Sequence, residues 1–179
     1  HTRSGIVSWA RDVYKRQHLI QEGFVETHTP KIVATATEGG ADLFPMQYFD
    51  RPAFLNQSPQ LFKQLCMSGG LERVFEIGPA FRAEKSDTYR HLAEFISFDI
   101  ECSWANDDDV MGVLERMLHH IWKSVAEEEE SQSLIATINE FRAEQGEEPV
   151  EVIVPELPFP RVEYDDAIRI IKEKGGSIE

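Results

Sequence analysis

Two runs of strand period stand on either side of one charged tract, and no other feature limits the fold as much. ERVFEIGPAFRAE (72–84) and EFISFDIECSW (94–104) each alternate in the manner of half-buried strands, and KSDTYRHLA (85–93) lies between them as a long hairpin loop. Taken one at a time, the charges here have ordinary explanations: a salt bridge, a solvated loop, a protected strand edge. Their joint placement asks for more. Arg82 and Glu84 are two apart on one strand and so project from the same face, while Glu94 opens the return strand beside Phe95. Arg90 and His91 fall in the loop that folds over that face. Cations, a carboxylate acceptor and an aromatic plate on one sheet surface suit a triphosphate, an adenine amino group and an adenine ring.

The rest of the chain supplies elements to support that surface. Trp9, Val13 and Ile20 predict an amphipathic helix from about residue 6 to 22, stopped by Gly23. FVETHTPKIV (24–33) reads as one strand bent at Pro30, and TATEGGAD (35–42) as a glycine-containing loop. LFPMQYF and AFLNQ, separated by Asp50, Arg51 and Pro52, read as a hairpin. SPQLFKQLCMSGG (58–70) is a helix with Ser58 as cap, Pro59 in the first helical position and Gly69 and Gly70 at the stop. Three-and-four spacing of Val110, Val113, Leu114, Met117, Leu118 and Ile121 marks a core-facing helix from Asp107 to about Glu130. His119 and His120 on it read as surface or internally satisfied side chains. A weaker helix is expected over 131–145, a proline-broken connector at PELPFPRVEY (155–164), and a short capped helix over 165–174 ending at Gly175.

Composition narrows the chemistry. At 179 residues and 41% hydrophobic content, the chain suits one globular domain or part of a larger one, and its apolar runs are far too short to span a membrane. No stretch resembles a signal peptide, so a soluble, cytoplasmic setting is expected. Cys66 and Cys102 stand without CxxC or His/Cys spacing, which predicts reduced, packed thiols and no metal site. Net charge is −14, yet residues 1–100 carry 11 Lys and Arg against 12 Asp and Glu, whereas 101–179 carry 7 against 20. An anionic ligand must therefore be held by local cations in the first part of the chain.

A second polar cluster lies on the helix that follows Ser58. Gln60 and Lys63 are i and i+3, neighbours on one face near the positive end, where a small carboxylate can be held. Glu38, in TEGGA, puts an anionic group on a glycine loop suited to closing on an ammonium group. Together these groups complement an amino acid with an acidic side chain lying beside ATP.

Those stretches carry a family resemblance. GFVETHTPKI resembles motif 1, and VFEIGPAFRAEKSDTYRHLAEFISFDIE motif 2, of the class II aminoacyl-tRNA synthetases. TEGGADLF, NQSPQLFKQ and the later RVEYDDAIRIIKEKGG are similar to the aspartyl members, particularly the archaeal and eukaryotic type. The resemblance implies an α+β catalytic domain, an antiparallel sheet flanked by helices, dimerising through motif 1 around Pro30. It implies that Arg82 bridges the ATP α-phosphate and the aspartate carboxylate, that Glu84 reads the adenine amino group, and that Phe95 stacks on adenine. Arg90, His91 and the Leu92 backbone would contact the distal phosphates, Glu38 the substrate ammonium, and Gln60 and Lys63, helped by Ser58, the aspartate side chain. The implied substrates are L-aspartate, ATP with Mg²⁺, and tRNA(Asp).

The departures also carry expectations. A glycine-rich motif 3 with its arginine, a late acidic segment for Mg²⁺ and an anticodon-binding β-barrel are not found, so the chain reads as the earlier part of a catalytic domain, incomplete at the C-terminus. Alone it is expected neither to aminoacylate nor to bind ATP tightly. Residues 1–17 match the family poorly; 18–179 form the partial domain, with motif 1 at about 23–33, motif 2 at about 74–101 and a helical insertion at about 107–155. Rival readings are an asparaginyl-tRNA synthetase, a tRNA-independent paralogue that forms asparagine, and a non-catalytic dimerisation or binding module. Lys63 favours the aspartyl reading, because a side-chain carboxylate needs a charge partner.

Overall fold

A computed structural model describes the backbone of residues 2–35, 43–83 and 92–176, with side chains from residue 12 onward. The chain divides into two compact units, His1–Val113 and Leu114–Glu179.

The first unit opens with α1 (Thr2–Gln21). It stops where the sequence predicts, at Gly23, whose φ of +82° costs a glycine nothing sterically. Its buried side differs from the one read from the sequence. Tyr14, His18 and Leu19 are buried, whereas Ile20 is 58% exposed, so the inward stripe runs through Tyr14, His18 and Leu19 and includes a histidine.

FVETHTPKIV is not one strand. It gives β1 (Val25–Glu26) and, beyond Pro30, β2 (Ile32–Val33), which join different sheets. Proline fixes its own φ and constrains the residue before it, so the chain turns out of one sheet into the other there. β3 (Pro45–Tyr48) and β4 (Arg51–Leu55) form the expected hairpin, and β2 pairs antiparallel with β4. The turn is Phe49–Asp50, and Arg51 and Pro52 belong to the strand rather than to the turn. Phe49 takes φ +55°, a left-handed value of the kind that two-residue hairpins demand. Pro52 is tolerated because β2 reaches only Phe54 and Leu55, so no ladder bond is asked of its nitrogen on that side.

α2 (Gln60–Ser68) leads into β5 (Arg73–Phe81) and β6 (Glu94–Cys102). β5 and β6 pair antiparallel along nine positions, from Arg73 opposite Cys102 to Phe81 opposite Glu94, which is the hairpin predicted from the sequence. β1 adds to the other edge of β5 in parallel, at Val25 opposite Val74. The two faces of this sheet divide the labour. On one, the Lys15 ammonium of α1 lies 5.0 Å from the centre of the Phe98 ring, which is opposite Ile77, and the core gathers around Leu19, Phe24, Phe75 and Ile77. Leu19 and Phe75 are wholly buried, each worth about 1.5–3 kcal/mol of hydrophobic stabilisation. The other face alternates with it and carries Glu76, Gly78 and Ala80 opposite Asp99, Ser97 and Phe95.

Helix α3 (Asp107–Glu127) crosses the division between the units, and α4 (Glu129–Glu144) and α5 (Tyr164–Glu173) follow. Within the second unit Glu115 accepts the Phe159 N–H at 3.1 Å and pairs with Arg161. Asn139 brackets Val150, donating to its carbonyl at 3.1 Å and accepting its N–H at 2.7 Å. His119 is satisfied, its Nδ1 2.9 Å from the Pro155 carbonyl oxygen. α5 ends before Gly175 at φ +78° as expected, but Glu163, the residue just before it, makes no side-chain cap.

Candidate active site

Lys63 is the centre of the polar face. It projects from α2 and is 2% exposed, so the surface lysine that its residue type suggests is in fact buried. Its ammonium sits 3.4 Å from Asp99 Oδ1, 3.5 Å from Glu101 Oε2 and 3.4 Å from the Ile100 carbonyl oxygen. A buried ammonium requires such partners, because desolvation alone would cost several kcal/mol. Gln60, one turn earlier, donates its Nε2 hydrogen to Glu101 at 3.1 Å. Ser97 donates its hydroxyl to Asp99. Asp99 and Glu101 are two apart on β6 and face the same way, so one strand presents both carboxylates to one helix.

The N-cap of α2 is Pro59, which makes no side-chain cap, rather than Ser58 as the sequence suggests; Ser58 Oγ, one residue before it, accepts the Gln60 N–H at 3.2 Å. Pro59 stands one place earlier than expected, just outside the helix rather than in its first turn. Ser58 thus stands at the start of the helix that carries Gln60 and Lys63.

At the other end of the hairpin, Arg82 follows β5 directly. Its guanidinium carbon lies 5.2 Å from the centre of the Phe95 ring, a cation–π contact, and its backbone N–H donates to the Ala93 carbonyl at 3.0 Å. Phe95 precedes Ser97 and Asp99 on the same face. Lys63 and Arg82 therefore serve one side of the sheet. Leu92, two residues before β6, is 57% exposed. Glu38, Glu84, Arg90 and His91 lie outside the described residues.

Sequence reasoning missed Asp99 and Glu101. The signal was present as S-x-D-x-E across 97–101, polar groups at strand period beneath a helix with a lysine. Cys102, next along the strand, has its thiol pushed above the ordinary cysteine value by burial, with Arg73 opposing and Glu101 and Asp109 adding to the shift.

Among the described residues, Lys63 with its two carboxylates and Arg82 with the Phe95 ring thus share one polar face of an α+β fold. The chain belongs to the class II tRNA synthetases (D, K and N), whose family model matches residues 7–176. It is 52% identical over 163 residues to the aspartate–tRNA(Asp/Asn) ligase of Archaeoglobus fulgidus, covering 91% of this chain and 35% of that protein. To the aspartate–tRNA(Asp) ligase of Thermoplasma volcanium it is 49% identical over 160 residues, covering 89% and 35%. Among solved structures, asparaginyl-tRNA synthetase from Pyrococcus horikoshii complexed with asparaginyl-adenylate aligns with TM-score 0.75 at 35% identity, over 97% of this chain and 38% of that one. A putative aspartyl-tRNA synthetase from Leishmania major Friedlin aligns with TM-score 0.58 at 41% identity, over 64% and 22%. The chain thus spans about a third of the length of the curated relatives it matches. No helix among the described residues is long and apolar enough to cross a membrane.

Proposed function

We propose that this chain is the amino-acid- and nucleotide-binding part of a ligase that activates L-aspartate with ATP and transfers the aspartyl group to tRNA(Asp). The observation that carries this reading is the buried Lys63 ammonium, held between Asp99 and Glu101 on the face that also bears Arg82 and Phe95. A fixed positive charge there answers the side-chain carboxylate of aspartate and has no use for the neutral amide of asparagine. The higher identity to aspartate ligases than to the asparaginyl structure supports the same choice. Asp99 and Glu101 hold the Lys63 ammonium at this face and supply negative charge on which an α-ammonium group settles, together with Glu38.

In the first step the aspartate α-carboxylate attacks the α-phosphorus in line, forming the acyl–phosphate bond as the bond to pyrophosphate breaks. Aspartyl-adenylate then passes its acyl group to the tRNA, releasing AMP. The protein's part is alignment and electrostatics rather than proton transfer. Arg82 lies between the two substrates, where negative charge concentrates. Phe95 stacks on adenine and Glu84 accepts from its amino group. Arg90, His91 and the Leu92 backbone meet the distal phosphates, and Gln60 and Ser58 complete the aspartate side. Mg²⁺ accompanies ATP as part of the substrate, and among the described residues no group of three or more His, Cys, Asp or Glu side chains could hold a metal ion.

The working enzyme is read as a cytoplasmic homodimer joined through motif 1 around Pro30, with residues 18–179 as the partial catalytic domain. ATP–pyrophosphate exchange by the complete enzyme, run in parallel with aspartate and asparagine, tests the function. Exchange should depend on aspartate alone; a response to asparagine alone, or to neither, contradicts it.

A further inference from the structure

Two buried polar side chains outside the substrate constellation, Asn56 and Glu76, are each 2% exposed, and both grip the same short segment. Glu76 accepts the Thr29 backbone N–H at 3.2 Å and pairs with the Lys31 ammonium, which also reaches Thr29 Oγ1 at 3.3 Å. Asn56 donates its Nδ2 hydrogen to the Pro30 carbonyl at 3.2 Å and its backbone N–H to the Lys31 carbonyl at 2.9 Å. Thr29, Pro30 and Lys31 are thus held from both sides. The Asn56 carbonyl in turn accepts the N–H of Phe81 at 3.1 Å. Phe81 is the last residue of β5, and Arg82 is next.

Gly78 makes room for this arrangement. A Cβ there would stand 3.1 Å from Glu76 Oε1 and 3.6 Å from Lys31 Nζ, so the ion pair lies directly over the glycine on the polar face. Arg82 has no side-chain partner among the described residues other than the Phe95 ring. Its placement rests on backbone held by Asn56 through Phe81 and by Ala93 through its own N–H.

We infer that Asn56 and Glu76 are positioning residues, which clamp Thr29–Lys31 against β4 and β5 and thereby set the backbone that presents Arg82. The inference rests on the assignment of Arg82 to adenylate formation. It extends that assignment to residues that touch neither substrate, and it ties the Pro30 segment to the reacting centre.

A double-variant cycle in the complete enzyme tests it. Aspartate-dependent pyrophosphate exchange is measured for Asn56→Ala, Arg82→Ala and both together, with thermal melting of each as a check on folding. Asn56→Ala keeps both backbone bonds and removes the side-chain bond to Pro30. It should lower kcat about 10-fold through misplacement of the guanidinium. The KM for aspartate should stay within about twofold, since Lys63 is untouched. In the Arg82→Ala background the same change should cost nothing more. Losses that multiply would overturn the inference, as would a wild-type kcat for Asn56→Ala beside an impaired Arg82→Ala. Unimpaired exchange by Arg82→Ala would instead remove the underlying assignment, and this inference with it. If Asn56→Ala does not fold, Glu76→Gln enters the same cycle. It keeps an acceptor for Thr29 and removes the charge opposite Lys31, with the same loss of effect expected once Arg82 is gone.

Discussion

Lys63 Nζ and Asp99 Oδ1 stand 3.4 Å apart, joining α2 to β6 through an ammonium that is almost wholly removed from water and a carboxylate that keeps some contact with it. The pair fixes the helix to the sheet and charges the face between them. Its energetics and its proposed role in recognition separate on substitution.

Lys63→Ala leaves Asp99 and Glu101 facing each other without their shared cation. Removing one member of a buried pair costs about 3–5 kcal/mol, and the partial exposure of the two acids places this site near the lower end. Denaturant unfolding of the chain should show the loss as a lower midpoint at unchanged slope.

Asp99→Asn keeps the side-chain shape but removes the charge that holds Lys63 and receives the Ser97 hydroxyl. A charge-assisted bond of this kind is worth about 1.5–3 kcal/mol, so the aspartate KM of the complete enzyme should rise by about 10-fold or more. Steady-state exchange kinetics at saturating ATP measure it.

Arg82→Ala removes the preorganised donor nearest the developing charge. By comparison with other such donors, adenylate formation should fall on the order of 100-fold or more, with melting temperature little changed because Arg82 is exposed. Single-turnover formation of aspartyl-adenylate reads the step directly.

Gly78→Ala sets a methyl group against a carboxylate that cannot easily move, since Glu76 is pinned by the Thr29 N–H and by Lys31. Overpacking of this sort costs about 1–3 kcal/mol. Equilibrium unfolding of the variant checks it.

The Cys102 thiol, raised by burial, stays protonated at neutral pH. The sign follows from the neutral form being favoured in the fold: its contribution to stability is complete below the ordinary cysteine value and is lost as pH rises through the higher folded value. Alkylation should be slower than for an unfolded control at pH 8 and should approach it only in alkali, as the thiolate forms. Mass spectrometry of modification against pH follows it.

How far the sequence led depended on whether the deciding interaction was local. β5, β6 and α2 are legible because strand alternation, a proline at a helix start and stop glycines act within a few residues. The break of FVETHTPKIV into strands of two sheets was not, because Pro30 announces a bend without saying which partners lie beyond it. Lys63 was recognised as a ligand-binding candidate, but its burial depends on Asp99 and Glu101, which are 36 and 38 positions away in the chain. In strand pattern those acids look like any solvated pair. The inward side of α1 was misplaced for a similar reason: His18 is polar in isolation, and only the fold buries it while exposing Ile20.

The measurement that bears most directly on the Lys63-centred site is the pair of KM values, for aspartate and for ATP, from pyrophosphate exchange by the complete enzyme carrying Lys63→Ala. The aspartate value should rise on the order of 10-fold or more while the ATP value stays within about twofold, because the ammonium answers the amino-acid side chain and not the nucleotide. Equal rises in both, or no change in either, would contradict it.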